Sequence, residues 1–266
     1  MIFHTFAVPL QRNLKEMREQ AYKIKEVEHN NPHDMPLNYK EEEMRSTTTV
    51  ILSINNYMAE NKIEHIEDGM SKAEQCEKRV FDLIISIFCL IVFSPLMLIC
   101  YILVKREDGG PAIFKQERIG LHGKPFNIYK FRSMKLDAEK DGPQLTAHED
   151  DNRLTHIGKF LRDHHLDELP QLWNVFKGDM AFIGPRPERK YYIDKIMEHD
   201  PRYVFLYQIR PGVTSYATLY NGYTDTMEKM LRRLKLDLYY LKHRSWVLDM
   251  KILAKTFLSI IFGKKF

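Results

Sequence analysis

Residues Val80 to Val104 form a run of 25 in which Asp82 is the only charged residue. As a helix rising about 1.5 Å per residue, the run is long enough to cross a hydrocarbon core of about 30 Å. The chain must therefore either place it in lipid or build a core around it. Ser94-Pro95 falls inside the run. A proline within a helix removes one backbone hydrogen bond and bends the axis, leaving arms of about 21 and 15 Å, and neither spans alone. Both flanks are basic, Lys78-Arg79 before and Lys105-Arg106 after, whereas a through-going helix usually has its basic excess on one side. A re-entrant helix that enters and leaves by one face and a simple spanning helix are both compatible with this run.

Charge divides the remainder. Residues 1–75 hold 9 Lys/Arg against 13 Asp/Glu, net −4; the whole chain is +4, so residues 76–266 carry +8. A basic half behind an acidic preface points to an anionic partner: phosphate, nucleic acid or a membrane surface. The basic residues are not interleaved with aromatics in a recognisable nucleic-acid module, so no nucleic-acid partner is expected. The three cysteines, Cys76, Cys89 and Cys100, exclude a disulfide framework and a cysteine zinc site, and suit a reducing compartment. Residues 1–75 show no secretory signal. Charge pairing at Leu14 to Val27 is helix-like, Asn30-Asn31-Pro32 breaks it, and Thr47 to Ile54 could form a short strand. This preface is expected to be an acidic extension, poorly ordered or a small helical region, with a regulatory or docking use.

Residues 76–266 read as the functional core, with a membrane helix at 80–104 and a catalytic region at 105–266. Ala112 to Phe114 and Phe126 to Phe131 have strand character, and Asp137 to Asp151 reads as a mobile polar loop. Gly120 to Lys124 has neither the spacing nor the hydroxyl of a phosphate loop, and no Gly-x-Gly-x-x-Gly occurs. Helices are expected at Leu154 to Arg162 and Glu188 to His199. Met227, Met230, Leu231, Leu234, Leu238 and Leu241 make a 3.6-residue core stripe. Trp246 to Phe262 is apolar but interrupted by Asp249, Lys251 and Lys255, the pattern of an amphipathic helix lying in a bilayer interface. The fold class that results is α+β, mostly helical: a membrane-associated core with a membrane helix, re-entrant or spanning, a small sheet and interfacial amphipathic helices.

The most reactive pattern is Asp167-Glu168, followed by Leu169, Pro170, Leu172, Trp173 and Phe176 at helical spacing and stopped by Gly178. A helix starting at the two carboxylates would set them beside unpaired N–H groups, which keeps an Asp ionised. On its own, such a pair is commonly a capping Asp with a Glu in the first turn. Phosphoryl transfer, however, needs a nucleophile, positive charge on the non-bridging oxygens and usually a divalent metal. Asp167 or Glu168 can attack phosphorus while the partner holds Mg²⁺, a hard cation suited to carboxylates and diphosphate. Arg186 is held between Pro185 and Pro187, and Arg118, Arg132 and Arg210 lie beside turns or strand ends, where each could contact phosphate. His164 and His165 precede the dyad, and one is expected to be a structural helix-end residue; no His/Cys spacing supports zinc.

In one order, the chain carries Lys78-Arg79-Val80-Phe81-Asp82, Ser94-Pro95, Gly110-Pro111 with Gln116 to Gly120, Lys130 to Met134, Asp167 to Gln171, Gly178-Asp179-Met180, Gly184 to Pro187 and Arg210 to Thr214. Over residues 76–266 it thereby resembles the bacterial sugar transferase family, the monotopic polyprenyl-phosphate phosphoglycosyl transferases. The resemblance implies transfer of a sugar 1-phosphate from a nucleotide diphosphosugar, usually UDP-linked, to undecaprenyl phosphate with release of UMP. This is the first membrane step of capsule, exopolysaccharide, O-antigen or glycoprotein glycan assembly. It implies Asp167 as the nucleophile of a covalent phospho-sugar intermediate, Glu168 supporting Mg²⁺, and Val80 to Val104 re-entrant at Ser94-Pro95. It also implies a catalytic region on the cytoplasmic face of the bacterial inner membrane. Two other readings compete: a non-enzymatic membrane-attached interaction protein, and a metal-dependent phosphohydrolase.

Overall fold

The computed structural model describes residues 63–138, 151–222 and 224–262; from Glu64 onward the chain forms one compact unit. The elements expected at Leu14 to Val27 and Thr47 to Ile54, and most of the loop at Asp137 to Asp151, lie outside the described residues. Residues just ahead of the apolar run already belong to the unit. Met70 is buried, Gly69 N–H bonds the Leu241 carbonyl, and Asp68 pairs with Arg244.

Helix α1 spans Lys72–Asp108, well past the apolar run at both ends. Ser71 and Glu74 form a reciprocal capping box, Glu74 N–H donating to Ser71 Oγ and Ser71 N–H to Glu74 Oε2, which satisfies two orphan donors. Gly109, at φ +72°, closes the other end with a left-handed conformation that a side chain would disfavour. Helical backbone continues through Pro95. Pro95 has no N–H for the Ile91 carbonyl, and Ser94 Oγ donates to that same carbonyl at 2.8 Å. The serine thus repairs the vacancy its neighbour creates, which matters most where no water can.

One face of α1 is built into the protein. Lys78, Asp82 and Ser86, four residues apart, are buried and so share a stripe. Lys78 Nζ reaches Asp249 Oδ2 at 2.5 Å, Tyr240 donates its hydroxyl to Asp249 Oδ1 at 2.7 Å, and Phe182 N–H donates to Asp82 Oδ1. Removing one partner of so buried a pair would strand the other charge, at a cost of about 3–5 kcal/mol. Beyond Pro95, Cys100 and Val104 join Ala112, Phe131 and Leu161 in a core cluster. The opposite face exposes Val80, Ile84, Phe88, Ile91 and Leu98. Among the described residues, α1 alone is long and apolar enough to cross a membrane.

Strands β1 (Ile113–Ile119) and β2 (Pro125–Phe131) form an antiparallel hairpin with Ile113 opposite Phe131 and Ile119 opposite Pro125. Pairing extends β1 through Gln116 to Ile119, which sequence pattern alone left as a connector. Helix α2 (His156–Asp163) is capped by Thr155 and α3 covers Gln171–Lys177. Strand β3 (Ala181–Ile183) pairs in parallel with β4 (Gly212–Thr214), and α4 (Lys190–His199) with a 3₁₀ segment (Pro201–Gln208) lies between them in the chain. Then follow α5 (Tyr216–Asn221), α6 (Met227–His243) and α7 (Trp246–Ile261). The α6 stripe packs as expected, with Met230, Leu234, Leu238 and Leu241 buried. Helix α7 is amphipathic as expected, burying Asp249 and Ile252 while exposing Val247, Met250, Phe257 and Leu258. The architecture is mostly helical with two small sheets.

Candidate active site

Asp167 and Glu168 occupy a single 3₁₀ turn, Leu166–Glu168, and α3 starts only at Gln171 with Pro170 as its N-cap. Helical periodicity placed the helix start at the dyad itself; the difference comes from His165, which adopts φ +55° and swings the chain between α2 and the turn. A left-handed non-glycine residue is an uncommon, mildly strained conformation. The Glu168 and Leu169 amides bond the His165 and Leu166 carbonyls instead of facing a carboxylate. Leu166 and Leu169 pack on the cluster that holds Cys100 and Val104, so the turn is fixed to the same core as the far end of α1.

The two carboxyls differ in environment. Asp167 is only 6% exposed; burial pushes its pKa up, Lys130 opposes the rise, and the charge of Glu168 adds to it. A helix terminus would lower the pKa of an Asp; here it is raised instead, because the turn buries Asp167 away from free amides. Burial also works against Glu168, but Lys130 and then Arg186 outweigh it and hold that carboxyl below the usual range. Lys130 Nζ sits 2.6 Å from Glu168 Oε1. The two carboxyls are thus pushed in opposite directions, Asp167 up and Glu168 down, as coupled carboxylates in unlike surroundings are.

Four basic side chains act on the dyad: Lys130 from β2, Arg162 from α2, His165 and, on Glu168, Arg186. Of these, sequence reasoning assigned a phosphate contact to Arg186 alone. Lys130 was legible as a member of β2, two residues from buried Ile128 and so on its face of the strand. The placement of Arg162 depends on the left-handed turn at His165 and left no local signal. Asn174 was also missed. Fully buried, it donates to the Asn127 carbonyl at 2.7 Å and accepts from Tyr129 N–H at 3.0 Å, which pins α3 to β2 beside Lys130. His164 is the structural histidine anticipated, its ring nitrogen 2.8 Å from the Phe160 carbonyl.

The structure separates the four expected arginines. Arg186 is exposed and makes no hydrogen bond among the described residues. Its loop is clamped where Gly184 N–H bonds Thr214 and Gly212 N–H bonds Pro185. A Cβ on Gly212 would lie 2.1 Å from Gly184 N, so only glycine permits this approach. Arg118 supports that loop, donating to the Pro187 carbonyl at 3.2 Å and lying 3.8 Å from Glu188. Arg132 is buried and committed to Asp108 and the Pro111 carbonyl; its guanidinium holds Asp108 down at about 2. Arg210 donates to the Gly178 carbonyl at 2.9 Å beyond the C-terminus of α3, where Arg79 donates to the Val175 and Phe176 carbonyls. Ser94 and Pro95 lie within α1, outside this site.

No group of three or more His, Cys, Asp or Glu poised for a metal occurs among the described residues. The donors at the dyad are two hard carboxylates, with one oxygen of Glu168 committed to Lys130. Such a set fits Mg²⁺, which takes one or two protein carboxylates and fills its shell with phosphate oxygens and water.

The sequence model of the family described as bacterial sugar transferase matches residues 73–263. The chain is similar to a UDP-N-acetylgalactosamine-undecaprenyl-phosphate N-acetylgalactosaminephosphotransferase of Aeromonas hydrophila, 40% identical over 208 residues covering 76% of this chain and 49% of the relative. It is similar to UDP-glucose:undecaprenyl-phosphate glucose-1-phosphate transferases of Klebsiella pneumoniae, at 41% over 67% of this chain and 39% of the relative, and Caulobacter vibrioides, at 39% over 71% of each. The matched region spans about half or less of the first two relatives.

Proposed function

The chain belongs to the bacterial sugar transferase family, and on that premise we propose that it transfers a sugar 1-phosphate from a UDP-sugar to undecaprenyl phosphate, through a covalent intermediate on Asp167. The observation that carries this reading is the unlike carboxylate pair: a buried Asp167 beside a Glu168 kept ionised by Lys130 and by Arg186, which makes no hydrogen bond among the described residues. Once deprotonated, Asp167 attacks the phosphorus that bears the sugar. An Asp-to-phosphorus bond forms, the diphosphate bond breaks and UMP leaves. An oxygen of undecaprenyl phosphate then attacks the same phosphorus, frees the Asp167 carboxylate and carries the sugar phosphate away as a lipid diphosphosugar. Lys130 and Arg186 supply positive charge where it accumulates in both displacements. Arg118, Arg132 and Arg210 support the scaffold in this reading. Mg²⁺ would be held by Asp167 and Glu168, and when bound it neutralises diphosphate charge.

We further propose that α1 is re-entrant, entering and leaving by the cytoplasmic face of the bacterial inner membrane. In support, both ends of α1 are fastened to one folded unit: Arg79 to the C-terminus of α3, Glu107 to the Ile157 amide and Asp108 to Arg132. The stretch between exposes an apolar face. A spanning helix would set those two ends on opposite sides of about 30 Å of hydrocarbon. Re-entry also brings a soluble nucleotide sugar and a lipid phosphate to one cleft.

The test uses the purified full chain in nanodiscs with Mg²⁺, undecaprenyl phosphate and a panel of UDP-sugars. UMP release that requires the lipid is expected with one or a few donors. Donor alone should leave a phospho-sugar mass on the peptide containing Asp167. Sugar phosphate released to water without lipid would make the protein a phosphohydrolase, and lipid binding with no turnover an interaction protein.

A further inference from the structure

Helix α6 carries a carboxylate where its apolar stripe leads one to expect a leucine. Asp237 lies between Leu234 and Leu238 on the inward face, 3% exposed, and its Oδ1 has no hydrogen-bond partner among the described residues. It lines a small cavity with Arg186, Glu188, Tyr203 and Arg233. A buried carboxyl oxygen without a partner is costly and calls for a reason.

The surrounding groups show which cation it could attract. Arg233, one turn back on α6, is ion-paired with Glu188, and Arg118 of β1 approaches the same Glu188 at 3.8 Å. Tyr203, from the 3₁₀ segment, is kept protonated by burial. Helix α4 contributes apolar Ile196 to the wall. That leaves Arg186, exposed, without a hydrogen bond among the described residues, and close enough to act electrostatically on both Asp237 and Glu168. One guanidinium thus faces two carboxyls, one at the dyad and one in the cavity behind it.

We infer that Asp237 is a positioning residue: as a neutral acid it leaves Arg186 to the dyad and the donor phosphate, and on ionising it competes for that guanidinium and draws it inward. Burial raises the Asp237 pKa to about 8, against the pull of Arg233 and helped by the nearby charge of Glu188, so the neutral form prevails at neutral pH. The inference rests on the transferase reading, which makes Arg186 a phosphate contact.

The experiment follows kcat/KM for UMP release by the full chain in nanodiscs from pH 6 to 9.5, for wild type and Asp237→Asn. A single group titrating near 8 gives a fall of about tenfold between pH 7 and 9, and in Asp237→Asn the fall should shrink below about twofold. An alkaline fall that persists unchanged in Asp237→Asn, or a wild type without one, would overturn the inference. Infrared spectroscopy tests the same group without turnover and without a variant that must fold. A protonated-carboxyl band should be present in the wild type at pH 7 and lost by pH 9.5, and its constancy over that range would also overturn the inference. A wild type that releases no UMP at any pH would instead defeat the transferase reading and leave the infrared result to decide the protonation of Asp237.

Discussion

The two ends of α3 are both rich in charge, and they use it differently. Beyond its C-terminus, Arg79 and Arg210 spend their guanidinium groups on the carbonyls of Val175, Phe176 and Gly178. Cations placed there meet the negative end of the helix dipole and close the chain's unsatisfied acceptors. Ahead of its N-terminus, two carboxyls share one turn, their pKa values pushed in opposite directions, with Arg186 exposed and acting on Glu168. A closed set of charges stabilises and does little else. An incomplete set, held rigidly by Asn174, Lys130 and the clamped Arg186 loop, is what can be completed by phosphate. The arginines at the two ends look alike in sequence; what separates them is whether the fold has already given them acceptors.

Substitutions at the two ends should therefore fail in different ways. The largest effect is expected for Asp167→Asn, which keeps the shape of the turn but removes the proposed nucleophile: UMP release should fall by about 10⁴-fold or more, with the melting temperature close to wild type. Near-wild-type turnover in that variant would place the reactive end elsewhere. Arg186→Ala comes next, at about 10²–10³-fold in kcat/KM, again without appreciable loss of stability by thermal unfolding.

Lys130→Ala should cost about 10–100-fold at neutral pH and should also move the acid side of the pH–rate profile. On the proposed mechanism Asp167 reacts only when ionised, and its pKa is raised in the fold, so the rate should fall as pH drops through a range above that of ordinary aspartates. Lys130 counters that rise, so its removal should shift the acid limb further up; a limb that stays put would sever Lys130 from the dyad. The smallest catalytic effect is expected for Arg210→Ala. Denaturant unfolding should show a loss of about 1–3 kcal/mol from the stranded Gly178 carbonyl, while kcat/KM per folded molecule changes less than about tenfold. If Arg210→Ala instead lost activity as Arg186→Ala does with unchanged stability, the contrast between the two ends would dissolve.

Much of the scaffold was legible because it rests on period and punctuation. The α6 stripe, the stop at Gly178, the hairpin strands and the apolar run all announce themselves within a few residues of chain. The start of α3 was misplaced because hydrophobic spacing continues through Leu169 while the backbone does not: a left-handed His165 and a cap at Pro170 put the dyad in a turn of its own. Arg162, Asn174 and Asp237, and the reach of Lys130 to the dyad, are not legible in the sequence because each acts across a gap that only packing closes. The N-terminal boundary differed for the same reason, since Asp68 and Met70 join the unit through distant Arg244 and the core rather than through local pattern.

Sequence alone determined the composition of the chemistry: an acidic pair, a supply of arginines near glycine and proline, an apolar helix and a basic half to receive anions. Those follow from residue type and short-range spacing, which the chain carries wherever it folds. Tertiary structure alone decided which arginine stayed available, which carboxyl of the dyad has its pKa raised and which lysine reached the dyad. The reason is that desolvation and Coulomb interaction depend on distances of a few ångströms between residues dozens to more than a hundred positions apart, and those distances exist only once the core has packed.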